Sequence, residues 1–261
     1  MRRDLRSIRA MNNMESADDG VASIPEALGD SVLQSQTLES VASAVQYHDW
    51  LTSLARPYLG DAPIELGSGL GDYAQTWLDQ GVTQMTATEV DPSRLAYLRD
   101  RFADEPRIKV VPLDVFDPPT AQYSSFVAFN VLEHIPNQLG ALRAAHTLLQ
   151  PGGYVIMFVP AFEFAMSRFD RRVGHVRRYT VGSMRSALLA AGLEIETIHY
   201  VNMPGLLAWF VGMRMLGMTP GEGQLLSIWD RHVVPRARRW ESRHQAPFGQ
   251  SVFAVARVPG A

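Results

Sequence analysis

The segment Ile64-Glu65-Leu66-Gly67-Ser68-Gly69-Leu70-Gly71-Asp72 constrains the chain more than any other. An apolar run ends in a carboxylate, opens into three glycines at alternate positions, and leads into a helical pattern from Asp72 to Leu78 that Gly81 closes. Glycines in such a turn permit left-handed backbone and let a ligand approach the main chain. A strand passing into a helix through that turn is the building unit of an open α/β sheet with its binding edge at the strand ends.

The rest of the chain repeats the unit. Gln84 to Val90, Ile108 to Leu113, Ser125 to Asn130 and Tyr154 to Val159 read as strands, separated by a helix opening at Pro92 and another from Gln138 to Leu149. A helix from Val181 to Ala191 precedes strands at Leu193 to Val201 and Ser251 to Val258, which makes seven strands in a mostly parallel sheet with helices on both faces. The 261 residues accommodate one such domain, here residues 36–261. Residues 1–35 lack sustained periodicity and read as a mobile tail, residues 37–58 as an N-terminal helix, and residues 202–250 as a helical insertion.

The glycine turn departs from the dinucleotide fingerprint. It reads G-x-G-x-G, with Asp72 at the third-glycine position, and Glu65 stands where it would repel a phosphate and attract a cation. Glu89, eighteen positions beyond Gly71, ends the second strand, where a carboxylate can accept from ribose hydroxyls, as in dinucleotide folds. Asp114, after the third strand, can accept from an adenine amino group while the adjacent Val115 amide meets a ring nitrogen, and Asn130 puts a polar group at the end of the fourth strand.

Together with Asn130-Val131-Leu132-Glu133-His134 and Leu148-Leu149-Gln150-Pro151-Gly152-Gly153, these segments resemble the class I S-adenosylmethionine-dependent methyltransferases, in particular small-molecule enzymes like the ubiquinone-biosynthesis methyltransferases. The resemblance implies a Rossmann-like α/β fold with S-adenosylmethionine as cofactor. It places Glu65, Gly67, Gly69, Gly71, Glu89, Asp114, Val115 and Asn130 around that cofactor. A narrower resemblance, through Gly174-His175-Val176-Arg177-Arg178-Tyr179-Thr180 and Pro247-Phe248-Gly249-Gln250-Ser251, is to bacterial methyltransferases of cell-envelope glycan and lipid pathways. The activity implied is O-methylation of a small-molecule, sugar or lipid-linked acceptor. The alternatives are an NAD(P)-dependent oxidoreductase, disfavoured by Glu65 and Asp72, and a catalytically degenerate cofactor-binding module.

Methyl transfer to a hydroxyl needs alignment and a proton acceptor. His134, His175 and Tyr179 are the candidates, each with a structural alternative in loop-holding or helix initiation. Arg177 and Arg178, within an arginine-rich connector, suit an anionic acceptor or a solvated face, and Trp209 belongs to an apolar run that suits an acceptor lid or a dimer contact. No metal is expected, because Asn130 replaces the leading carboxylate of the Glu-x-x-Glu-His arrangement by which some relatives hold a divalent ion. Nucleic acid is not an expected partner: the net charge is −3, and Asp117-Pro118-Pro119 lies before the fourth strand instead of after it. The window Met203 to Met218 is too short and interrupted to span a bilayer, so the expectation is a cytoplasmic monomer or homodimer with scope for peripheral membrane contact. The absence of cysteine excludes disulfides and thiolate chemistry.

Overall fold

The computed structural model describes residues 29–118, 122–215 and 224–260. Seven strands, β1 Pro63–Glu65, β2 Met85–Thr88, β3 Ile108–Val111, β4 Tyr123–Phe129, β5 Leu149–Pro160, β6 Glu194–Val201 and β7 Ser251–Arg257, form one sheet in the order β3-β2-β1-β4-β5-β7-β6. β1 to β5 pair in parallel, while β7 runs antiparallel to both β5 and β6. β7 comes back antiparallel because the insertion leaves β6 at Val201 and returns at its register partner Ser251, so the chain reverses at one end of the sheet.

Alternation along the strands divides the core in two. Phe126, Ala128, Val155, Met157 and Ala254 face one side, under α5 Gln138–Leu148 and α7 Val181–Ala190. Val127, Phe129, Ile156, Phe158 and Phe253 face the other, against α2 Val45–Ala55, α3 Asp72–Asp79 and α10 Val234–Glu241. Trp77 is fully buried there and donates its indole N–H to the Thr52 carbonyl at 3.2 Å, which ties α3 to α2.

Three boundaries differ from expectation. α1 spans Ser31–Ser43, so helix begins inside the stretch read as tail; residues 1–28 lie outside the described residues. The single helix read over 37–58 is two helices broken at Ala44, where ψ of 75° leaves the helical region. β5 starts at Leu149, earlier than the Pro-Gly-Gly stop suggests, because Leu149 pairs with Tyr123 before a register shift. Beyond β6 the chain forms α8 Met203–Trp209, a wider helical turn over Phe210–Met215, then α9 Gln224–Ile228 and α10.

Gly71 caps α3 at φ +82°, and a Cβ there would lie 2.6 Å from Phe102 and 2.8 Å from Leu98. Gly71→Ala therefore adds left-handed strain to a steric clash. We expect it to lower unfolding stability by about 1–3 kcal/mol, read as a fall in the urea midpoint.

Candidate active site

The parallel strands deliver their following loops to one sheet edge. Gly67 and Gly69, like Gly71, have positive φ. A Cβ on Gly67 would meet Val131 at 2.9 Å and one on Gly69 would meet Leu38 of α1 at 2.8 Å, so the loop is enclosed by the β4 loop on one side and by α1 on the other. Glu65 is buried beneath it, and its Oε2 has no hydrogen-bond partner among the described residues. Burial pushes its carboxyl up to about 7, with the neighbouring Asp72 and Glu89 charges adding to the rise. A buried carboxyl with one unpartnered oxygen under a glycine cradle fits a ligand that presents a cationic group; a pyrophosphate would not fit it.

Glu89 is more heavily engaged than the sequence suggests. Its Oε2 accepts from the Gly69 amide at 3.1 Å, its Oε1 from the Val90 and Asp91 amides, and the buried Arg94 guanidinium pairs with it at 3.2 Å. Arg94 lies one turn into α4 Pro92–Arg101, whose N-cap is Asp91. Ser31 of α1 donates to Asp91 at 2.7 Å, and Gln34 donates to the Val173 carbonyl, so α1 bridges the Glu89 corner to the connector after β5. Sequence reasoning missed Arg94 and α1; the Asp-Pro-Ser-Arg run marks an N-cap but says nothing of the buried ion pair. Asp114 is half-buried and accepts from the Phe116 amide at 2.8 Å, Val115 is buried, and Asn130 is exposed at φ +54°, a conformation asparagine tolerates.

Adjacent to Val131, a second cluster forms. Glu133 and His134 sit on a short helical turn after β4, and the connector crosses them, donating the Val176 amide to the Glu133 carbonyl. His175 places Nε2 3.8 Å from Glu133 Oε1, and its Nδ1 bonds Asp170 Oδ1 at 3.0 Å. The His134 and His175 rings meet edge to face at 4.6 Å. Glu133 is fully buried with both oxygens unpartnered among the described residues, and burial pushes it up to about 7. Burial, reinforced by His175, lowers His134 to about 3, so its ring is neutral, and its Nδ1 is also unpartnered. Donor atoms of Glu133, His134 and His175 lie within 4.8 Å of one another, so His175 joins two residues of the linear motif led by Asn130.

Asp170, on the short helix α6 Arg168–Arg172, organises this cluster. It accepts from the Ser167 amide and hydroxyl, from His175 and from Arg178 Nη2 at 2.7 Å. Burial alone would raise its carboxyl, but these donors outweigh burial and hold it below the usual carboxylate range. Arg178 spends a second nitrogen on the Ala161 carbonyl and lies 5.0 Å over the Trp209 ring, while Arg177 donates to the Ile135 and Pro136 carbonyls. The two arginines expected to meet an anion thus serve the scaffold. Tyr179 is buried, with its hydroxyl against Gln138 Oε1 at 2.9 Å, and burial pushes it up to about 12, which leaves it a structural residue. Trp209 donates its indole N–H to the Ala165 carbonyl and packs on Phe169, so α8 presses its inner face on the connector.

A model of the methyltransferase domain family matches residues 30–198, a span that holds both clusters. The chain belongs to that family. It is an S-adenosylmethionine-dependent methyltransferase, and the dinucleotide alternative falls. No curated protein matches the chain. Similar solved structures include a chain from the complex of the Haloferax volcanii Trm112 methyltransferase activator, with TM-score 0.60, 13% identity, and coverage of 90% of this chain and 100% of that one. An S-adenosylmethionine-dependent methyltransferase from Mesorhizobium loti gives TM-score 0.55 at 16% identity over 79% and 95% of the two chains. The [4+2]-cyclase SpnF gives 0.56 at 21% over 81% of each. These likenesses carry the fold alone, and a cyclase among them illustrates that the fold does not select the acceptor.

The raised carboxyls make a signed prediction. Glu65 and Glu133 keep protons in the folded protein that the unfolded chain releases, so stability from them is present at low pH and lost as pH rises from the ordinary 4.5 through about 7. Neutral His48, His134 and His199, all lowered by burial, act in the opposite sense as pH falls below 6.5. The informative quantity is therefore the difference from a variant. Relative to wild type, Glu65→Gln and Glu133→Gln should each gain up to roughly 3 kcal/mol across that window, seen in denaturant titrations of cofactor-free protein.

Proposed function

We propose that this methyltransferase methylates a hydroxyl oxygen of a small acceptor, of the sugar or lipid-linked class, with His175 as the proton acceptor. The observation that carries the reading is the Asp170–His175 pair. A carboxylate held ionised at Nδ1 fixes the proton on that nitrogen, leaving the Nε2 lone pair free and stabilising the imidazolium formed when it takes a proton. Glu133 Oε1 lies 3.8 Å from Nε2, beyond hydrogen-bond reach. Arg178 and Ser167 are positioning residues, because they act through Asp170.

S-adenosylmethionine supplies an electrophilic methyl group on a sulfonium centre. Glu65 would attract its ammonium end, the glycine loop would admit it against the backbone, Glu89 would hold ribose, and Asp114 with the Val115 amide would meet adenine. Arg94 would orient Glu89 for that task. His134, neutral and poorly basic, suits an acceptor of a hydrogen bond better than a base. Trp209, held by Ala165 and Arg178, forms a wall beside the acceptor side of the cluster.

Transfer of labelled methyl from S-adenosylmethionine into a metabolite and lipid extract tests the activity. His175→Ala should reduce turnover by about 10²-fold or more while calorimetric affinity for the cofactor stays unchanged, and Asp170→Asn should reduce it in the same direction. Glu65→Gln should instead weaken cofactor binding by about tenfold. Undiminished turnover in His175→Ala would remove it from the base role, and binding without transfer to any acceptor would favour the degenerate module.

A further inference from the structure

The insertion after β6 has an outer face that neither cluster uses. Leu207, Val211 and Met215 are 60%, 50% and 67% exposed at successive intervals of four residues, which the wide turn over Phe210–Met215 keeps nearly in line. Phe164, also exposed, packs edge to face on Phe210 and extends this apolar strip, and Ile228 is exposed on the returning limb. On that limb Arg231, Arg236, Arg239 and Arg243 are exposed, with Trp240 among them stacked on His244. A shallow apolar cleft joins the limbs, lined by Met203 and Pro204 from one and by Arg236, Ala237 and Trp240 from the other.

The charge on this face is not balanced locally. Asp230 turns inward and accepts from the Gln46 and Tyr47 amides, and Glu241 turns inward and accepts from the Asn202 and Met203 amides. The carboxylates of the described part of the insertion are thereby spent on backbone N–H groups, and none of the four arginines has an ion-pair partner among the described residues.

We propose that residues 203–215 and 224–243 form a docking surface for an anionic lipid bilayer. Exposed aliphatics at helical spacing beside unpaired arginines, with a tryptophan at the boundary, are what an interfacial element needs. The aliphatics enter the acyl boundary, the arginines meet lipid phosphates, and tryptophan sits at headgroup depth. A second copy of the chain is the poorer occupant, because a two-fold contact would bring like-charged arginine faces together. Among the described residues no helix is long and apolar enough to cross a membrane, which agrees with docking from one side. The inner face of the same element holds Trp209 against Arg178, so the bilayer would lie one helix away from the Glu133–His175 cluster.

Vesicle co-sedimentation of the full chain decides this. The protein should bind phosphatidylcholine vesicles containing about one-third phosphatidylglycerol, bind pure phosphatidylcholine at least about tenfold more weakly, and be released by salt. The exposed triple variant Arg236→Glu, Arg239→Glu, Arg243→Glu should lose about 10²-fold in affinity with an unchanged thermal midpoint, and lysine at the same three positions should restore binding. Leu207→Ser with Val211→Ser should weaken binding at constant charge. Binding to neither vesicle, or equal binding to both, overturns the proposal. So does a dimer in sedimentation that the aliphatic variants dissociate while vesicle affinity stays flat.

Discussion

Parallel pairing of β1 with β2 on one side and β4 on the other carries the site, because strands running the same way leave their carboxyl ends on a common edge. From that edge come the glycine loop, Glu89 and the Glu133–His134 turn, segments spread over about seventy residues of sequence. The connector after β5 then folds back over the β4 loop through the Val176 amide and the Arg177 guanidinium. Without the parallel register the glycine loop and the loop after β4 would not meet at Val131.

Within that frame, environment divides carboxylates of one chemical type into opposite roles. Asp170 is as buried as Glu133, yet it receives donors from Ser167, His175 and Arg178 and stays ionised. Glu133 and Glu65 have burial without enough donors, and they hold their protons up to near neutrality. In the proposed role the ionised Asp170 stands behind His175 Nδ1, while the proton-retaining Glu133 lies 3.8 Å from Nε2. Glu65 is a different case: its unmet demand is for a cation, and the methionine end of the cofactor carries one.

The insertion after β6 shows a related division in space. Its inner residues, Leu206 and Trp209, are taken by the domain, and its two described acids face inward to cap backbone amides. What remains outside is apolar and basic. One element thus has an inner face packed on the domain and an exposed outer face, a division that the spacing of Met203, Leu206, Trp209, Phe210 and Met213 does not show; the Met213 side chain lies outside the described residues.

The sequence by itself determined the order of strands and helices, the glycine turn at Gly67 to Gly71, and the placement of Glu65, Glu89 and Asp114 at strand ends, because strand and helix periods and glycine's backbone freedom are local properties. Only tertiary structure decided the partners. That Arg178 serves Asp170, that Arg94 serves Glu89, that Tyr179 is occupied by Gln138, and that His175 reaches Glu133 from 42 residues downstream are contacts between distant segments. Residue type states what a side chain can donate or accept, but burial and the competing donors around it set whether that capacity is spent on the fold or left for a ligand, and both arise only when the chain is packed.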